Sequence, residues 1–219
     1  MHFCPKYLLN LGQNINYKPL LSVLNQIENQ LIKLGKNTIV FPSDFSSTSN
    51  TEAVKKALLR LEQKEKLVRL AHGIYLYPKK DKELGVLYPS VEEIAAAIAK
   101  RDKARIIPTG VQALNKLGLS TQVPMNVVFL TDGAPRSIRI GKRTIKFKKT
   151  TPKNLACKSE VCGLVIQALR EIGSENFTQE QLEKIKQVLK NEKTELLAHD
   201  ARLAPAWIAK IILSVIPNK

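Results

Sequence analysis

What this 219-residue chain has little of sets the first limits. It holds three histidines (His2, His72 and His199), with no H-E-x-x-H and no pair at metal-ligand spacing on a helix. Walker A, G-x-G-x-x-G and G-x-S-x-G sequences are missing, which removes the common nucleotide and nucleophile-elbow chemistries. Glu92 and Glu93 are adjacent on one predicted helix, so they diverge by about 100° and cannot share a substrate. Gly173-Ser174 resembles the opening of a nucleotidyltransferase site, but no Asp-x-Asp follows to hold metals, so it reads as a helix end. The expectation is a protein that is not an enzyme and uses no cofactor and no metal. Three cysteines, Cys4, Cys157 and Cys162, cannot pair evenly. With no second Cys pair or nearby His, Cys157 and Cys162 make a poor zinc site and read as reduced thiols of a cytoplasmic protein. No run approaches 18 apolar residues, and MHFCPKYLLNLGQN lacks the apolar core of a signal peptide, so neither membrane insertion nor export is expected.

Acid is the other scarce commodity. Against 35 Lys+Arg stand 19 Asp+Glu, a net charge of +16. The excess is +7 over residues 1–80, +7 over 81–150 and +2 over 151–219, so it belongs to the first two thirds of the chain. A polyanionic partner follows, and nucleic acid is the commonest. Aromatics make up 5% of the chain, which argues against stacking recognition of single strands but not against shape recognition.

The stretch from Ser49 to Tyr77, SNTEAVKKALLRLEQKEKLVRLAHGIYLY, carries the clearest signal. Ser49 and Glu52 stand as S-x-x-E, a capping box. Val54, Ala57, Leu58 and Leu61 then form one apolar stripe, with Lys55, Lys56, Leu59 and Arg60 on the opposite arc. The period drops to 2 across Leu67–Tyr77, and His72-Gly73 supplies a two-residue turn that sets Leu70 against Tyr75 and Val68 against Tyr77. A basic helix leading straight into a hairpin is the pattern of a recognition helix and wing. For Leu59 the expectation is packing against the wing or linker.

Upstream, Lys18-Pro19 reads as a helix entry, followed by Leu20, Leu24, Ile27, Leu31 and Leu34 with Gly35 as the stop. Thr38–Phe41 reads as a short strand, and Pro42-Ser43-Asp44 as a short helix with Ser43 its cap and Phe41 and Phe45 core anchors. Downstream, Pro78–Pro89 reads as a linker. Then come a helix capped by Ser90-x-x-Glu93, a strand at Arg105–Ile107, a helix capped by Thr109-x-x-Gln112, and a strand at Val127–Leu130. In SIRIGKRTIKF, a turn at Gly141-Lys142 sets Ile138 against Ile145 and Arg139 against Thr144. Helices at 161–172, after Thr178-x-x-Gln181, and from Pro205 close the chain. Between Asp132 and Glu160 lies no acid but nine basic residues, a second candidate anion surface comprising Arg136, Arg139, Lys142, Arg143, Lys146, Lys148 and Lys149.

VFPSDF followed by EAVKKALLRLEQKEKLVRLAHGIYLYPK resembles the winged-helix half of AbiEi-type antitoxin regulators. RIIPTGVQALNKLGLSTQVP…VVFLTDG and HDARLAPAWIAKII resemble their C-terminal domain. The resemblance implies an α+β protein with a winged helix-turn-helix at 1–80 and a mixed α/β antitoxin domain at 86–219 ending in helices. It implies a bacterial toxin–antitoxin system of the abortive-infection kind, in which this partner represses its own operon and counters a nucleotidyltransferase-like toxin. The implied DNA contacts are Lys55, Lys56 and Arg60 on the helix and Arg69 and His72 on the wing. Ser49, Thr51, Lys79 and Lys80 complete the candidate set. His72 stands where Arg or Lys is expected and adds little charge near pH 7. Expected partners are double-stranded operator DNA and, functionally, the toxin. The alternative is an RNA-binding module, with tRNA or another toxin target held on the basic hairpin.

Overall fold

The computed structural model describes residues 22–122 and 124–217. The helix entry expected at Lys18-Pro19 lies outside them. The first helix, α1 (Val23–Leu34), starts on the Ser22 hydroxyl, which accepts from the Asn25 amide at 3.3 Å, and stops at Gly35. Its Ile27 and Leu31 are buried. Strand β1 (Thr38–Val40) leads into a 3-10 turn at Pro42–Phe45. That turn is closed by Asp44, not Ser43: the Asp44 carboxylate accepts from the Phe41 amide at 2.8 Å. Helix α2 (Thr51–Gln63) buries Val54, Ala57, Leu58 and Leu61, the predicted stripe. Its cap is Asn50, whose side-chain oxygen accepts from Ala53 N–H at 2.9 Å, and the Ser49/Glu52 box does not form because Glu52 turns to Lys55.

Strands β2 (Val68–Ala71) and β3 (Ile74–Tyr77) follow, turning at Gly73, whose φ of +69° suits glycine. Their register differs from the expected one. Val68 faces Leu76, Arg69 faces Tyr75 and Ala71 faces Ile74, with a bulge between Arg69 and Ala71. One extra residue in β2 shifts every partner upstream of it, which no two-residue turn rule anticipates. With β1 they form a sheet in the order β1-β3-β2. Ile27, Leu31, Val40, Phe45, the α2 stripe and Tyr75 fill the core of this half.

Pro78–Pro89, expected as a linker, carries a two-stranded ribbon of β4 (Lys79–Asp81) and β5 (Gly85–Leu87). Helix α3 (Val91–Arg101) has the predicted box: Ser90 accepts from Glu93 N–H, and Glu93 accepts from Ser90 N–H. Then come β6 (Ile106–Pro108), α4 (Val111–Lys116), β7 (Asn126–Thr131), β8 (Arg136–Ile140) and β9 (Arg143–Lys149). Helix α4 begins at Gly110 without a side-chain cap. Gln112, expected in a box with Thr109, donates its side-chain amide to Glu92 instead. The sheet order is β6-β7-β9-β8, with β7 parallel to β9 and the other pairs antiparallel. The β8–β9 register is as predicted, Ile138 against Ile145 and Arg139 against Thr144.

After a 3-10 turn at Pro152–Leu155, four helices complete the chain: α5 (Glu160–Ile172), α6 (Gln179–Lys190), α7 (Thr194–Ala201) and α8 (Ala206–Leu213). Helix α7 had no signal in the sequence reading; it is short and lacks a side-chain cap. Helix α5 is buried from Cys162 to Leu169 and is the axis on which the others pack. Asp200, fully buried, accepts from the amides of Lys158 and Ser159, both at 2.9 Å, and so ties α7 to the start of α5. The architecture is thus mixed α+β, with eight α-helices and three sheets among the described residues.

One apolar cluster spans the chain. Phe41 and Ile74 from the first half pack with Val91, Ile94 and Ile98 of α3 and with Val127, Phe129, Ile145 and Phe147 of the sheet. Each such fully buried side chain contributes about 1.5–3 kcal/mol. Phe41→Ala is therefore expected to remove ~3–5 kcal/mol. The single tryptophan, Trp207, sits on α8 among the C-terminal helices, away from that cluster. In urea unfolding of this variant, the circular-dichroism and Trp207-fluorescence midpoints should fall together; a fixed Trp207 midpoint would show the halves unfolding independently.

Candidate nucleic-acid interface

Burial of Val54, Ala57, Leu58 and Leu61 fixes what α2 offers to solvent. Thr51, Lys55, Lys56, Leu59 and Arg60 are exposed on the remaining arc, and Ser49 is half-buried at its entry. Lys55 pairs with Glu52 at 3.0 Å, one turn back, so its charge is partly spent. Lys56 and Arg60 have no carboxylate partner among the described residues, and with Lys64 they line a groove against the start of α1. Leu59, expected to pack, is 46% exposed: the hairpin lies elsewhere, against the second half of the molecule.

On the hairpin, Arg69 and His72 are exposed and in contact, Arg69 Nη2 to His72 Nδ1 at 3.2 Å. A guanidinium only donates, so Nδ1 is the acceptor and a neutral ring carries its proton on Nε2. Lys79 and Lys80 are exposed on the β4–β5 ribbon. At its turn the Leu84 and Glu83 amides hold the Asp81 carboxyl below the usual carboxylate range.

The seven residues of the second basic stretch fall in different places. Strand alternation puts Arg139, Lys146 and Lys148 on the face opposite Ile145 and Phe147, beside Thr144 and Ser137. Helix α5 covers only the β6 end of that face, where Gly163 packs so closely that a Cβ would stand 2.9 Å from Ile107 Cδ1. These three cations therefore stand on uncovered sheet. Lys142 is on the β8–β9 turn, and Arg143 and Lys149 lie at the two ends of β9, exposed. Arg136 is turned inward. It pairs with Asp102, which also holds Arg101, and its guanidinium lies over the Phe147 ring at 5.5 Å. Burial and the neighbouring Arg101 charge lower its pKa. Arg105 likewise pairs with Asp132 at 2.8 Å, and its hydrogen bonds hold that carboxyl low. Asp102 lies 34 residues from its partner, a pairing without local signal.

Among the described residues no group of three or more His, Cys, Asp or Glu could hold a metal ion, and no helix is long and apolar enough to cross a membrane. Cys157 and Cys162 are free thiols pushed up to about 11 and about 12 by burial and by the nearby Asp200 charge. Both should react with Ellman's reagent at pH 8 far more slowly in the folded protein than in urea, since only the thiolate attacks. A second measurement separates the basic residues: Arg136→Gln should lower the melting temperature, whereas Lys146→Gln should leave it within the small range of surface changes. Equal melting temperatures would show that Arg136 is not a packing residue.

No curated protein sequence matches the chain. Among solved structures, that of the RV2827C protein from Mycobacterium tuberculosis is similar at a TM-score of 0.43 and 14% identity, over 90% of this chain and 81% of that one. Residues 26–197 match a family of unknown function, DUF6088, and the chain belongs to that family.

Proposed function

We propose that the N-terminal half is a winged helix-turn-helix and that the protein binds double-stranded DNA, as a repressor of its own operon and the antitoxin of a toxin–antitoxin pair. The observation that carries the DNA reading is the exposed arc of α2, where Lys56 and Arg60 stand without carboxylate partners, followed by a hairpin with Arg69 exposed. Such a helix fits a major groove and such a hairpin the flanking phosphates. The antitoxin role rests on the resemblance to AbiEi-type regulators in VFPSDF and the residues after it. No catalytic step is assigned to the protein in this reading.

The second half joins the same contact. Strand β2 lies against β8, which brings the hairpin beside the strand that carries Arg139. RNA binding is the second reading, favoured by the uncovered face with Arg139, Lys146 and Lys148.

Fluorescence anisotropy with upstream operon DNA, unrelated DNA and tRNA across a salt series tests both. Lys56→Ala is expected to cost ~1–3 kcal/mol on operator DNA if it reads a base edge, and to weaken all DNA equally if it meets phosphate. About five phosphate contacts from helix and hairpin give a slope of log K against log salt of about −4 to −5. Replacing Arg139, Lys146 and Lys148 by Gln should flatten the full-chain slope by a further ~2–3 if they touch the same duplex. An unchanged DNA slope with lost tRNA binding would move that face to RNA. Unchanged binding of every probe by a Lys56→Ala/Arg60→Ala protein would remove α2 from the interface.

A further inference from the structure

Where the two halves meet, away from their shared core, an open groove of about 820 Å³ is left between α1, β1 and the Pro42–Phe45 turn on one side and α3 on the other. Its floor is apolar: Ile39, Phe41 and Ala97 line it, with the half-exposed Leu34 at its edge. The volume is that of a small-molecule site, and the lining is the mixture such sites use, an apolar bed with a few polar groups at the rim.

The rim is electrostatically one-sided. Two acids border the groove, and both are committed to backbone amides. Asp44 accepts from Phe41 N–H at 2.8 Å, and Glu93 accepts from Ser90 N–H at 2.6 Å. Three cations border it as well. Arg101 lies over the Phe41 ring, 4.5 Å from its centroid, and shares the single carboxylate of Asp102 with Arg136. One carboxylate between two guanidiniums leaves a net positive charge beside the groove. Lys33 of α1 and Lys100 of α3 have no carboxylate partner among the described residues, so their charges are uncompensated. An apolar bed under unpaired ammonium groups disfavours a neutral or cationic guest and favours a guest with an apolar body and an anionic head.

We propose that this groove is a binding site for an amphipathic organic anion, a molecule with one carboxylate, sulfonate or phosphate group on a hydrocarbon or aromatic body. The apolar body lies on Ile39, Phe41 and Ala97, and the head is held by Lys33 and Lys100. Because Lys33 belongs to the first half and Lys100 to the second, the ligand bridges them and stiffens the joint between the α2 helix and the sheet. The site is independent of whether the protein binds DNA.

The test uses the full-length protein and the fluorescent probe 8-anilinonaphthalene-1-sulfonate. It should bind at a single saturable site, be displaced by decanoate but not by decanol, and bind on the order of tenfold more weakly to Lys33→Gln/Lys100→Gln. The variant Lys146→Gln/Lys148→Gln loses the same charge elsewhere and should bind as the wild type does, which removes the overall positive field as the explanation. Ala97→Trp fills the bed while keeping both lysines; with its melting temperature shown to be retained, it should abolish the signal. Equal affinity in the Lys33/Lys100 variant, equal displacement by decanol, or a full signal from a folded Ala97→Trp protein would each overturn the proposal.

Discussion

The packing of Phe41 and Ile74 against α3 and the sheet is the contact on which the remaining arrangement depends. It takes the apolar side of the β2–β3 hairpin, which would face water in an isolated N-terminal half, and buries it among Ile94, Ile98, Ile145 and Phe147. The hairpin is thereby fixed in place and left with one polar side, the side that carries Arg69. Helix α2 is held from below by a separate cluster around Phe45, Leu58 and Leu61. The exposed arc of the helix and the exposed edge of the hairpin are thus oriented by two different cores, joined through the short β1 strand and the turn after it.

Much of the fold was legible because its elements carry strong local chemistry. The α2 stripe, the Ser90 and Thr178 boxes, the Gly35 and Gly173 stops and the β8–β9 register all stand as the spacing predicts. The misreadings share one cause, a choice between two local partners of similar strength. Ser49 and Asn50 compete to cap α2, Ser43 and Asp44 to close the turn after Phe41, and a bulge in β2 moves the hairpin register by one. Pro78–Pro89 misled for another reason. Two prolines and a glycine mark breaks, and a three-residue ribbon fits between them without any hydrophobic run to announce it.

The candidate site was legible as composition and only partly as geometry. A dearth of acid between Asp132 and Glu160 suggested that all the basic residues there are free. Folding brings Asp102 to Arg136, and strand alternation sends the rest to different faces, leaving three cations together on open sheet. Counting charge along the chain measures the field around the protein; which charges can grip a single partner is decided by pleat and by contacts distant in sequence.

The buried Asp200 carboxylate has a consequence for the order in which the chain can be completed. Its two oxygens satisfy the amides of Lys158 and Ser159, where α5 begins, and His199 Nδ1 lies 2.7 Å from one of them. Helix α5 therefore owes the closure of its first turn to a residue some forty positions later. During synthesis the sheet, α5 and α6 are all made while that carboxylate is still to come. A nascent chain ending before residue 200 carries a central helix with an open end and an unfilled apolar flank, a state suited to a chaperone and unsuited to release.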